Sequence, residues 1–205
     1  LTNKRLAVTF ILTCHDREEY VPYALRVIES YRSIKPQVIL CYNGEQDLAC
    51  DVRLPPLKKH HGDHSLTMAG YRLRRHQRIV KLSIDSWLLD ESVIVNIFRR
   101  LESEQKPYAG NYWHSNWQGS LSTDVIFADL RFGNIFKGWN DARPSMEDSM
   151  WRQLTRLGKK PLLIEERHPI HFANRFACAK LRWTMEHDLQ RNLANARAWA
   201  PSLGF

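Results

Sequence analysis

Residues 5–13 are apolar and β-branched with no helical stripe, the pattern of a strand buried on both faces. Asp16 and Glu19 then form an Asp-x-x-Glu pattern that predicts a capping box. Val21, Ala24, Leu25, Ile28 and Tyr31 follow at helical spacing on one face, and Lys35-Pro36 is expected to end that helix. Residues 37–42 predict a second buried strand, closed by Asn43-Gly44. The unit is β-α-β, and the right-handed crossover rule makes its two strands parallel.

Pro55-Pro56 limits residues 51–57 to a short edge strand. Residues 58–63 predict a polar, basic loop. Residues 65–75 predict a helix with Leu66, Ala69 and Leu73 inward and Arg72, Arg74 and Arg75 outward. Residues 78–84 form a third strand, with Val80, Leu82 and Ile84 on one face and Lys81, Ser83 and Asp85 on the other. Asp90 caps a helix carrying Val93, Ile94, Ile97, Phe98 and Leu101. Residues 110–123 are aromatic and polar without a period, and 124–130 are strand-like. Ser145 caps a helix with Met146, Met150, Leu154 and Leu157 inward and Gly158 as its stop. A short strand is expected at 161–165. A long basic amphipathic helix is expected from 178 to about 198, through Leu181, Met185, Leu189 and Leu193.

Strands alternating with helices over 205 residues argue for one α/β domain with a mainly parallel central sheet flanked by helices. Residues 1–90 and 91–172 read as its two halves, and 173–205 as a C-terminal helix. Ligands bind at the carboxyl ends of strands in such sheets, which points to 13–16, 42–44 and 85–87.

Composition narrows the class. With 43% hydrophobic and 25% charged residues, collagen, coiled coil and wholesale disorder are excluded. No apolar run is long enough for a transmembrane helix, and the N-terminal run makes a poor signal peptide. The four cysteines, Cys14, Cys41, Cys50 and Cys178, form no CxxC and read as reduced thiols of a cytoplasmic protein. The net charge of +8 fits an anionic ligand, a nucleic acid or a solvated surface. No nucleic-acid-binding signature accompanies it, and no Walker A, G-x-G-x-x-G or G-x-S-x-G motif occurs.

Three groups carry candidate chemistry. Asp85 ends a strand, where a carboxylate is placed to hold a divalent ion bridging two phosphates or, alternatively, to take backbone hydrogen bonds in a turn. Glu147 and Asp148 open a helix, as a general base or as capping residues. Among the histidines, His60 and His64 have zinc-like spacing but enclose Gly62, which argues against the helix such a pair needs. A single late histidine completing a site with Asp85 fits better.

The order of these segments resembles the GT-A class of nucleotide-sugar glycosyltransferases, especially its family 2-like members, over roughly residues 5–172. The run from Val8 to Arg17 looks like the opening strand and the uracil-contacting loop. Asn43 stands where relatives usually carry an acidic residue for the uridine. Ser83-Ile84-Asp85 looks like an Asp-x-Asp metal motif that lacks its first carboxylate, and Met146-Glu147-Asp148 looks like the Glu-Asp motif of inverting members. The resemblance implies a Rossmann-like GT-A domain that moves sugar from a UDP- or GDP-sugar to a hydroxyl of a glycan, glycoprotein or glycolipid. It implies donor contacts at Thr13, His15, Asn43, Gly44, Asp63, Ser65 and Arg72, and Mn²⁺ or Mg²⁺ at Asp85 and His171. It further implies Asp148 or Glu147 as base and Trp113 and Trp117 as an acceptor platform. The basic C-terminal helix, with Trp183 and Trp199, would suit peripheral contact with a membrane. Two other classes compete: a nucleotidyltransferase-like enzyme, which the glycine-free loop at 15–19 disfavours, and a nucleic-acid-binding module.

Overall fold

The computed structural model describes residues 5–56, 59–111, 121–137, 139, 146–164 and 177–205, without the side chains of 59–62 and 147–148. The first strand, β1 (Leu6–Cys14), pairs in parallel with β2 (Ile34–Tyr42) along its whole length. On its other side it pairs in parallel with β4 (Arg78–Ser83). The remaining strands of this sheet are β3 (Val52–Arg53), β6 (Tyr108–Gly110), β7 (Val125–Asp129) and β8 (Leu162–Leu163), in the order β3-β2-β1-β4-β7-β6-β8. Only β7 runs against the other described strands, so the sheet is mainly parallel, as the alternating pattern predicts.

Two apolar layers cover the sheet. Val8, Phe10, Leu12, Val80, Leu82 and Phe127 point to the layer holding α1 (Val21–Glu29) and α3 (Glu91–Ser103). Ile11, Ile39, Ile79 and Ile126 point to the layer holding α2 (Lys59–Leu73) and α4 (Met146–Arg156). The second layer is more polar: Thr9, Thr13 and Lys81 are buried on its side of β1 and β4. Gly70 lets α2 lie close to the sheet, since a Cβ there would stand 2.7 Å from Ile11 Cγ2 and 2.8 Å from Cys41 Sγ.

Several expected elements differ. Asp16 caps nothing: a 3₁₀ turn, Glu18–Tyr20, precedes α1, whose start is set by Pro22 in its first turn. Lys35-Pro36 does not end α1 but lies within β2, which pairs with β1 from Ile34 onward. Residues 59–63 are helical rather than loop. One Gly costs a helix about 1 kcal/mol, and the burial of Leu66 and Thr67 beneath α2 offsets it.

The long C-terminal helix is absent. Ala177–Cys178 (β9) and Trp183–Met185 (β10) join Ser86–Leu88 (β5) in a small antiparallel sheet. Arg182 takes a left-handed φ of 47°, and the helix proper is α5 (Leu189–Trp199), capped by Asp188. Leu181, Met185 and Leu189 happen to be spaced by four, which imitates a helical face. Trp183 and Met185 are instead buried strand residues, so the basic and aromatic membrane-facing helix does not form as expected. No described helix is long and apolar enough to cross a membrane.

Candidate functional site

The carboxyl ends of β1, β2 and β4 meet on one edge of the sheet, together with the first turns of α2. There the structure brings together Thr13, His15, Asn43, Gly44, Asp63 and Asp85. A cleft of about 410 Å³ opens between the loops after β1 and β2, lined by His15, Asp16, Asn43, Gly44, Glu45 and Pro56. A larger cleft, about 800 Å³, lies at the opposite edge, where arginines including Arg78 alternate with Asp90, Glu91 and Glu102. Its charges nearly balance and the parallel strands β1 and β4 begin there, whereas they end at the smaller cleft, which is therefore the candidate site.

A chain of polar contacts crosses the floor of that edge. His15 Nδ1 lies 2.6 Å from Asn43 Oδ1, and His15 Nε2 lies 3.9 Å from Asp63 Oδ1. Lys81, fully buried on β4, donates to Asp63 Oδ2 at 2.8 Å, to the Thr123 carbonyl at 2.7 Å and to Ser83 Oγ at 3.3 Å. Ser83 in turn donates to Asp124 Oδ1 at 3.3 Å. Burial pushes the Asp63 carboxyl up. The Lys81 charge and hydrogen bonds from His15 and Lys81 outweigh it and hold the group below the usual carboxylate range. Asp63 is therefore an ionised helix residue reaching down to a strand ammonium.

The loop after β2 is set by close approach. A Cβ on Gly44 would overlap the His15 carbonyl oxygen and the Tyr42 hydroxyl, which donates to Glu18. Burial, then that hydrogen bond, push the Tyr42 hydroxyl up to about 12. Gly44→Ala is expected to cost about 1–3 kcal/mol and to distort the cleft. Thermal unfolding checks the first effect, and a variant as stable as the parent would show that the loop yields freely. The thiols at the strand ends are inert by comparison: burial pushes Cys14 and Cys41 each up to about 12.

Asp85 sits between β4 and β5 and is 2% exposed. Its turn is fixed from behind: Asn192 of α5, itself buried, donates to the Asp85 carbonyl at 2.7 Å and accepts from Thr184 Oγ1 of β10 at 2.7 Å. Asp85 Oδ2 receives Arg17 Nη1 at 2.5 Å and lies 3.4 Å from His187 Nδ1. Two ligands about 2.1 Å from one ion, at angles between octahedral and tetrahedral, stand about 3.0–3.4 Å apart. A carboxylate and an imidazole at this separation would suit two ligands of one divalent ion. Among the described residues no three His, Cys, Asp or Glu side chains form a metal cluster.

Other predicted residues are placed apart or lie outside the description. Ser65 follows Asp63 on α2, whereas Arg72 is in the last turn of that helix, about 13 Å further along its axis and toward the far edge of the sheet. Glu147 and Asp148 occupy the first turn of α4. That helix begins on the strand-end edge, because Trp139 ahead of it packs 5.4 Å from His64, one residue beyond Asp63. It ends at the opposite edge, where Leu157 lies close to Gly133 and Lys159 donates to the Gln105 carbonyl. Trp113, Trp117 and His171 lie outside the described residues. Arg17, Lys81, Asp124 and His187 were not singled out as site residues by sequence. An ammonium in the middle of an apolar strand was the available signal for Lys81; His187 was hidden inside the expected long helix.

No family model matches the chain. No curated protein matches its sequence. Solved structures do resemble it. A mannosyltransferase from Pyrobaculum calidifontis, in complex with GDP-Man and Mn²⁺, superposes with a TM-score of 0.55 at 14% identity, covering 78% of this chain and 55% of that one. The chain thus spans about half the length of that enzyme. A Drosophila β1,4-galactosyltransferase 7 mutant, with manganese, UDP-Gal and xylobiose, gives 0.54 at 10% identity, covering 91% and 73%. A Bacillus anthracis protein assigned as a glucose-1-phosphate thymidylyltransferase gives 0.54 at 11% identity, covering 93% and 95%. At such identities the likeness establishes the fold, and that fold is the GT-A type of the nucleotide-sugar glycosyltransferases.

Proposed function

We propose that the chain is a glycosyltransferase that moves a sugar from a UDP- or GDP-sugar to a hydroxyl of a glycan, glycoprotein or glycolipid. The observation that carries this reading is the cleft at the strand ends, with His15, Asn43 and Gly44 in its wall and the Asp85–His187 pair at the same edge. The solved mannosyltransferase and galactosyltransferase of this fold hold nucleotide sugars and manganese, which supports the same ligand class. In this reading residues 1–90 bind the nucleotide and 91–172 meet the acceptor, with Trp113 and Trp117 as stacking surfaces.

The nucleoside lies in the cleft, where His15 and Asn43 hydrogen-bond the base or ribose. Asp85 and His187 would hold a Mn²⁺ or Mg²⁺ ion, which supplies charge to the diphosphate leaving group. His187 takes the part that the resemblance assigned to His171. The Lys81–Asp63 pair fixes the first turns of α2 against the strand ends. Asp148, or Glu147, accepts the proton of the attacking hydroxyl.

Calorimetry with UDP and GDP, each with and without Mn²⁺, tests this reading. One nucleotide is expected to bind, and to bind more tightly with the ion. Asp85→Asn is expected to remove the effect of Mn²⁺ while metal-free binding persists. Binding of neither nucleotide would overturn the reading. The likeness to the thymidylyltransferase-type protein over nearly its full length favours one alternative, a nucleotidyltransferase. Preference for a nucleoside triphosphate over both diphosphates would point there.

A further inference from the structure

The strongest unexplained contact in the site is that of Arg17 with Asp85. Of the ion pairs of Asp85 among the described residues it is the shortest, and the Asp85 side chain is 2% exposed while the Arg17 side chain is 20% exposed. The arginine side chain therefore borders solvent, and Arg17 follows His15 and Asp16, which line the nucleotide cleft. It also sits on Oδ2, the same oxygen that faces His187. A divalent ion about 2.1 Å from that oxygen would stand within van der Waals reach of the guanidinium and repel it. On that oxygen the two cations compete, because their charges repel at such a separation.

We propose that Arg17 guards Asp85. It closes the ion site when the cleft is empty and opens it by transferring its guanidinium to the diphosphate of an arriving nucleotide. The ligand class rests on the glycosyltransferase reading; the competition for Asp85 does not. The chemistry of the exchange is matched at each end. Arginine pairs with phosphate as readily as with carboxylate, through the same fork of N–H donors. Asp85, once released, is an oxygen ligand on a backbone already held by Asn192. The exchange leaves no buried charge unpaired, because the ion replaces the guanidinium on Asp85 as the phosphate replaces Asp85 on Arg17. Ion and nucleotide then favour each other's binding reciprocally, beyond what their direct contact supplies.

Arg17→Gln separates this role from a structural one, because its two expected effects have opposite signs. Mn²⁺ binding without nucleotide, followed by electron paramagnetic resonance, is expected to tighten about tenfold or more, since the competitor is gone. Metal-free binding of UDP, GDP and inorganic pyrophosphate, followed by calorimetry, is expected to weaken about tenfold. An arginine that only supports the loop would weaken both. Asp85→Asn should abolish the gain in Mn²⁺ affinity when combined with Arg17→Gln. Unchanged or weaker Mn²⁺ binding in Arg17→Gln would overturn the proposal, even with nucleotide binding intact in the parent. Tighter Mn²⁺ binding in the variant, with no nucleotide bound by the parent, would uphold the guarding of Asp85 and overturn the glycosyltransferase reading instead.

Discussion

Lys81→Met is expected to destabilise the fold by about 3 kcal/mol, seen as a fall of roughly 6–12 °C in thermal unfolding. Methionine keeps the length and volume of the side chain, so packing against the sheet changes little. What changes is the charge. The lysine ammonium has three N–H donors, and all three are spent on Asp63, the Thr123 carbonyl and Ser83. Without them Asp63 keeps an ionised carboxylate among buried atoms with no countercharge. Breaking a buried pair from one side costs about 3–5 kcal/mol, and the 22% exposure of the Asp63 side chain argues for the lower end. Replacing both partners, as Lys81→Met with Asp63→Leu, is expected to recover most of the loss, because neither charge is then stranded. A single variant as stable as the parent would mean that the pair carries no net weight.

The same pair sets the acid limb of stability. Asp63 has a folded-state pKa below its unfolded value, which is about 3.9 for an aspartate. Its contribution is therefore complete above about pH 4 and lost as pH falls further. The parent and Lys81→Met should therefore converge in stability as the pH drops below that value, while the doubly substituted variant keeps its stability.

This pair also shows how much of the site was legible in the sequence. The alternation along residues 78–85 separates Lys81, Ser83 and Asp85 from the apolar face, and the structure keeps that separation. What alternation cannot give is the partner. Asp63 falls in a stretch of histidines, lysines and Gly62 that reads as loop by propensity, and only packing of α2 on the sheet makes it helical. The first two strands, α3 and α4 were legible because each buries a periodic face without help from distant sequence. The C-terminal segment was not. Its spacing-by-four of Leu181, Met185 and Leu189 suits a helix, yet β10 is a strand because β5 offers it an antiparallel edge about a hundred residues away in the chain. His187 was misplaced with it. The residues that surround Asp85, namely Arg17, His187 and Asn192, come from two distant parts of the chain, so no local spacing could have linked them.

Asp148→Asn is expected to lower turnover by about 10²–10⁴-fold while leaving nucleotide binding unchanged. Asparagine has nearly the size of aspartate but cannot accept a proton at neutral pH. As the acceptor oxygen attacks the anomeric carbon, its bond to that carbon forms, the bond to the diphosphate oxygen breaks, and the diphosphate leaves with the electron pair. The hydroxyl proton must go to a base on the face opposite the leaving group. The first turn of α4, on the strand-end edge, is suited to that task in one respect: a helix N-terminus favours negative charge. Glu147→Gln decides which of the two neighbours acts, since only the base should show the loss. The stereochemistry is the independent check. A base acting in this way requires inversion at the anomeric carbon, read from the product by NMR. Full turnover in both variants, with retained configuration, would mean that the acceptor attacks from the leaving-group side and that neither carboxylate is the base.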